Sequence, residues 1–124
     1  MTMKFYKCKH CGQIITIVEP TGVPVICCGE PMEEMEANTT DASVEKHVPE
    51  CKVENGDIHV NVGSEAHPMS ADHYIKWILV ETDQGSYLKV LRPEDKPFAC
   101  FTLGKTEKPS CVYDYCNIHG LWKR

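Results

Sequence analysis

The chain has no apolar run able to cross a membrane: the longest, Trp77–Val80, falls far short of the roughly 20 residues a helical span needs. No membrane partner is therefore expected. It also has no cluster of Lys or Arg, and its formal net charge is −5. Phosphate binding wants a basic face, so nucleic acid is not an expected partner either. The opening residues, Met1 to Cys8, lack the apolar centre of a secretion signal, which predicts a cytoplasmic location. Nowhere does a convincing helical period appear, and there is no internal repeat or low-complexity tract.

What the chain does have is cysteine and histidine. Eight cysteines in 124 residues, with no secretion signal, point to metal ligands before disulfides, because the cytosol is reducing. A chain this short can bury one modest core, or a small core plus a stapled mini-domain. The cysteine placement favours the second arrangement. Cys8 and Cys11 form a C-x-x-C-G knuckle, and Cys27-Cys28 follow after a short β-branched run, Ile14–Val18, and a return segment, Val23–Ile26. Four thiolates at this spacing suit a closed tetrahedral site. Sulfur ligands alone cannot choose between zinc and iron, and the adjacent pair must splay its side chains to reach one ion. The apolar residues of this segment are too few to hold a fold, so a metal cross-link supplies the missing stability. These features divide the chain into a metal-stapled unit, residues 1–36, a polar linker, 37–44, and a second domain, 45–124.

From residue 45 onward the pattern is β. Asp57–Val62 alternates, with Ile58, Val60 and Val62 on one face and His59 on the other; Tyr74–Glu81 is apolar on both faces and so central. Ser86–Leu91, Phe98–Leu103 and Ser110–Tyr115 follow at regular spacing. Short strands punctuated by Gly and Pro predict an antiparallel sandwich or barrel.

Within that domain, His47, His67, His73, Cys116 and His119 come from separated stretches that fall mostly at strand ends. Cys116 and His119 are a C-x-x-H pair, close enough to bind one ion from one turn. His67 precedes Pro68, which stiffens the backbone presenting the ring, and Glu45 and Lys46 flank His47. Five such ligands leave an octahedral ion one vacancy. A divalent ion with one thiolate and four neutral imidazoles stays net positive, and Lys46 adds to that. A small anion is thus attracted despite the acidic body. A thiolate opposite the vacancy pushes electron density toward a bound ligand. His10 and His59 are read as ordinary surface or satisfied residues; Cys51, Cys100 and Cys111 are read as small core residues, the alternative being a redox-sensitive or intermolecular thiol, Cys51 foremost.

Taken with these residues, the chain resembles desulfoferrodoxin, the two-iron superoxide reductase family. The marks that carry the resemblance are the vicinal Cys27-Cys28, Glu45-Lys-His-Val-Pro49, His67-Pro68, His73-Tyr-Ile-Lys-Trp77 and Cys116-Asn-Ile-His-Gly120. It implies a desulforedoxin-like first unit, with iron on Cys8, Cys11, Cys27 and Cys28. It implies a neelaredoxin-type second domain with an immunoglobulin-like β-sandwich fold. There a second iron would take His47, His67, His73 and His119 as equatorial ligands and Cys116 as the axial one. Glu45 would close the sixth position of the oxidised iron, and Lys46 would guide superoxide and help deliver a proton. The implied reaction is reduction of superoxide to hydrogen peroxide without release of oxygen, with re-reduction by rubredoxin or a similar small donor. A homodimer is also implied. Two readings compete with it: a binding module in which both Cys/His sets hold structural zinc, and a mononuclear iron oxygenase. The second is the poorer, because oxygenases favour two histidines and one carboxylate with several open positions.

Overall fold

A computed structural model describes residues 3–124, which form two compact units divided between Glu36 and Ala37. The first unit holds five short strands, β1 (Phe5–Lys7), β2 (Ile14–Thr16), β3 (Ile26–Cys27), β4 (Glu30–Pro31) and β5 (Glu33–Glu34). β1 lies between β2 and β5 in an antiparallel sheet, and β3 pairs with β4 as a separate hairpin. Only Phe5, Cys8 and Met32 supply buried apolar side chains among the described residues here, whereas Val18 is 95% exposed. The strand expected over 14–18 therefore stops at Thr16, before a residue that has no core to face.

The second unit is an antiparallel β-sandwich. A single helical turn, α1 (Val44–His47), precedes β6 (Pro49–Glu54), β7 (Asp57–Val62), β8 (Ile75–Thr82), β9 (Ser86–Val90), β10 (Phe98–Thr102), β11 (Pro109–Cys116) and β12 (Gly120–Lys123). One sheet has the order β10-β7-β6 and the other β12-β11-β8-β9. Alternation on β7 turns Ile58, Val60 and Val62 inward, where they meet Ile75, Ile78 and Val80 of β8, Val112 and Cys116 of β11, and Ala99 of β10. β8 is an interior strand, as its two-sided apolar pattern requires. α1 is too short to show a helical period. Residues 37–44 are tied to this unit, since Asn38 exchanges hydrogen bonds with the Lys123 backbone and its N–H donates to Leu121 O.

Two tight hairpins share one backbone device. The loops Cys28-Gly29 and Asn55-Gly56 each have positive φ at both residues, 51° and 78° in the first, 54° and 81° in the second. Two residues between paired strands, both at positive φ, is the type I′ pattern. Asn-Gly is the preferred pair for it, and it joins β6 to β7. Cysteine at such a position is unusual, and at Cys28 it lets neighbouring thiols diverge.

Candidate metal centres

In the first unit the knuckle is built by backbone. The Gly12 N–H donates to Cys8 O at 2.9 Å and the Cys8 N–H to Gln13 O at 2.9 Å. The Cys11 N–H donates to Cys8 Sγ at 3.5 Å. That contact leads in holding the Cys8 thiol down at about 6. Cys11 Sγ and Cys27 Sγ are 3.6 Å apart, and the four sulfurs of Cys8, Cys11, Cys27 and Cys28 lie within 4.8 Å of one another. Tetrahedral bonds of about 2.3 Å would set sulfurs about 3.8 Å apart. The crowding pushes Cys27 up to about 12 and Cys28 upward, both chiefly through Cys11. Such sulfurs become thiolates together only around a cation, so the donor set fits a metal.

In the second unit the four histidines stand at the corners of a square. Ring centroids of neighbours are separated by 4.6 Å (His47–His67), 4.7 Å (His67–His73), 5.1 Å (His73–His119) and 4.8 Å (His119–His47). Neighbouring planes are inclined by 77° to 86°, and His47 and His73 sit across the diagonal at 6.3 Å. His47 Nε2 is 3.1 Å from His67 Nε2 and 3.0 Å from His119 Nδ1. Metal–nitrogen bonds of about 2.1 Å at right angles would put adjacent nitrogens about 3.0 Å apart. Cys116 Sγ lies 3.9 Å from His119 Nδ1 and within 4.8 Å of the donor atoms of His47, His67 and His73.

The ring protons are assigned by backbone. His47 Nδ1–H donates to Ser43 O and His67 Nδ1–H to Pro68 O, each at 2.6 Å. In the neutral rings both Nε2 atoms then carry bare lone pairs, facing each other across 3.1 Å. Two such lone pairs repel unless a cation lies between them. His73 Nε2 is likewise buried with no hydrogen-bond partner among the described residues. Burial leads in lowering the pKa of His47, His73 and His67, the last to about 4. Neutral imidazole is the form that binds metal. Burial pushes the Cys116 thiol up, and Asp114, when ionised, acts in the same direction; a bound cation would reverse both. The donors fit an iron, with three nitrogens offered as Nε2 and one as Nδ1.

Local structure explains why these side chains converge. α1 carries Glu45, Lys46 and His47, with Glu45 and Lys46 exposed and His47 buried. The Gly63 and Glu65 N–H groups donate to Val48 O and Glu45 O, pinning that turn. Gly63 has φ +80°, and a Cβ there would come within 2.5 Å of Glu45 O and 2.6 Å of Glu65 O. At the other end, a register shift between Tyr115 and Cys116 on the β8 pairing marks a bulge, a device that re-aims a side chain beside a site. Asn117 bridges the remaining pieces: its Nδ2 donates to Asp72 O at 3.0 Å, and its Oδ1 accepts the Tyr74 N–H at 2.9 Å. That locks the Cys116–His119 turn to the segment bearing His73. Trp122 stacks on His47 at 4.9 Å and donates its Nε1–H to His119 O at 3.1 Å.

Both units match known protein families. The family model described as Desulfoferrodoxin covers residues 39–124, and that of the desulfoferrodoxin N-terminal domain covers residues 1–35. The chain belongs to the desulfoferrodoxin family. A desulfoferrodoxin homolog of Archaeoglobus fulgidus is 46% identical over 98% of this chain and 95% of its own length. The desulfoferrodoxin of Nitratidesulfovibrio vulgaris is 44% identical over 97% and 94%. The superoxide reductase structure from Treponema pallidum superposes with a TM-score of 0.84 at 32% identity, over 100% of this chain and 99% of that one. Desulfoferrodoxins carry one iron on four cysteines and another on four histidines and a cysteine, and both donor groups are present here.

Every histidine and cysteine expected at a metal thus meets its partners. Sequence reading passed over Gly63, Asn117 and Trp122. Gly63 follows directly on the alternating strand, a visible turn signal; Asn117 lies inside the C-x-x-H spacing. It also passed over Asp114, fully buried on β11 with neither carboxylate oxygen hydrogen-bonded among the described residues, where burial pushes it up to about 9. The remaining cysteines are a correction: Cys51 and Cys100 are exposed and Cys111 is half-buried, not core residues. Cys51 lies on β6, an edge of its sheet, and Cys100 pairs with the outward-facing His59. His10 is a surface residue 3.3 Å from Glu30.

Proposed function

We propose that this chain is a superoxide reductase, with His47, His67, His73, His119 and Cys116 holding the catalytic iron and Cys8, Cys11, Cys27 and Cys28 holding a second iron. The observation that carries this reading is the square of imidazoles with one thiolate beside it. Five donors leave an octahedral ion a single open position, enough for a small ligand but not for substrate and oxygen together. Iron held there would supply one electron to superoxide, which with two protons becomes hydrogen peroxide.

The chain's own residues manage charge and protons. Lys46 is exposed beside buried His47, and its charge acts on His73, so it raises the local concentration of a small anion. It also orders water at the rim, from which protons reach the product. Glu45 keeps its carboxyl below the usual range, chiefly through its own backbone N–H. It therefore stays ionised and suits the role of displacing product at the open position. The Treponema pallidum structure is that of a superoxide reductase, and so is a Pyrococcus horikoshii relative 38% identical over 97 residues.

Iron held by Cys8, Cys11, Cys27 and Cys28 would supply one-electron relay chemistry, with rubredoxin or a similar small protein as the reductant; the exposure of Cys11 and Cys28 supports electron entry there. The protein works as a cytoplasmic homodimer, in a reducing compartment that suits its many thiols. The test is to assay metal content and follow superoxide loss with a supplied reductant while monitoring oxygen. Iron in both sites, peroxide formed and no oxygen released is the expected result. Zinc in both sites would make it a stapled binding module, and oxygen release would make it a dismutase.

A further inference from the structure

Away from both iron centres, the outer face of the β10-β7-β6 sheet carries a third group of ligand atoms. Asp57, His59 and Cys100 each offer one, and the three lie within 4.8 Å of one another. The arrangement follows from register. Asp57 and His59 are two apart on β7, so they share a face, and Cys100 on β10 sits directly opposite His59. Ile58 and Val60, on either side of His59, point into the core. β7 is paired on both sides, which makes this a rigid platform. Among the described residues no side-chain hydrogen bond or ion pair occupies Asp57, His59 or Cys100. The neighbouring cation, Lys52, lies opposite His59 but is already paired with Glu54 at 3.3 Å.

We propose that Asp57, His59 and Cys100 form a third metal site, for a divalent ion of the zinc class. One thiolate, one imidazole and one carboxylate neutralise a divalent charge and leave a fourth tetrahedral position to water. The thiolate excludes calcium and magnesium, which want oxygen. The carboxylate disfavours monovalent copper, which prefers sulfur donors. Bonds of about 2.0–2.3 Å need donors about 3.3–3.7 Å apart, a closure that rotation of surface side chains provides. A bound ion clips β10 to β7 from outside, independently of the iron sites.

The test uses the full-length, iron-loaded protein with its thiols reduced. Zinc is added at micromolar concentration, excess is removed, and zinc and iron are measured; cobalt serves as the spectroscopic probe. The wild type should retain one zinc per chain beyond its iron. Cys100→Ser and His59→Ala should each weaken that retention by at least about tenfold, since even outer-shell changes cost about 10–100-fold. Bound cobalt should show a sulfur-to-metal band that is absent in Cys100→Ser. The visible bands of both iron centres, unchanged in each variant, report that the fold is intact. The proposal is overturned if the wild type retains no extra zinc, if zinc enters only by displacing iron, or if both variants keep the extra ion undiminished.

Discussion

Lys46 and Trp122 act on the histidine cluster by different means: the Lys46 charge bears on His73, while Trp122 stacks on His47 and donates to the His119 carbonyl. Lys46 is exposed and works through field, so Lys46→Ala should slow superoxide capture while leaving the iron spectrum intact. Rapid mixing at several salt concentrations checks this: the gap between wild type and variant should narrow as salt rises, because screening removes what the charge supplies. Trp122 works through contact, at 1% exposure. Trp122→Phe keeps a ring against His47 but loses the hydrogen bond to His119 O, a change of about 1 kcal/mol in stability. Trp122→Ala leaves a cavity and should cost about 3–5 kcal/mol. Chemical denaturation, read beside iron retention, separates the two. The residues that gather in the two clusters were legible in the sequence because metal chemistry admits few residue types and spacings. Trp122 was not, since an aromatic near a chain end carries no signal of what it stacks upon.

At the level of strands and turns, Glu107 ties the β8–β9 hairpin to the loop after β10. Thr82 Oγ1 donates to it at 2.5 Å, the Tyr87 hydroxyl at 2.6 Å and the Gly104 N–H at 2.9 Å. Those donors, Thr82 foremost, hold its carboxyl below the ordinary value of 4.5. A depressed folded-state pKa contributes stability that is present above the unfolded value and lost as pH falls through the folded one. Melting temperatures across that range should therefore show wild type above Glu107→Gln at neutral pH, with the gap closing on acidification. The strands with strict alternation or two-sided apolar runs, β7 and β8, were visible in the sequence. β6 was not: five of its six residues are exposed, so no apolar period marks it. The Asn55-Gly56 turn was the available clue, because a strong hairpin signal after β6 demands a partner for β7.

Across the whole molecule, the two units differ in what holds them. The second has a two-sheet core; the first buries three apolar side chains among its described residues and depends on its metal. Cys28→Ser, or chelation of the first centre, should therefore expose residues 1–36 to protease and leave the β-sandwich folded with its own iron bound. Limited proteolysis with circular dichroism and metal analysis checks this, and joint unfolding of both units would contradict it. The division into two units was readable from the clustering of cysteines at one end and alternation at the other. The attachment of residues 37–44 was not, because Asn38 works through single polar contacts that leave no pattern. Gly63 leaves a last consequence. Where a methyl group would stand, the carbonyls of Glu45 and Glu65 already converge, so Lys46 and the first imidazole owe their placement to a side chain one hydrogen in size. Gly63→Ala should cast off the catalytic iron while sparing the sulfur-bound one, a defect arising at a residue that touches neither metal nor substrate.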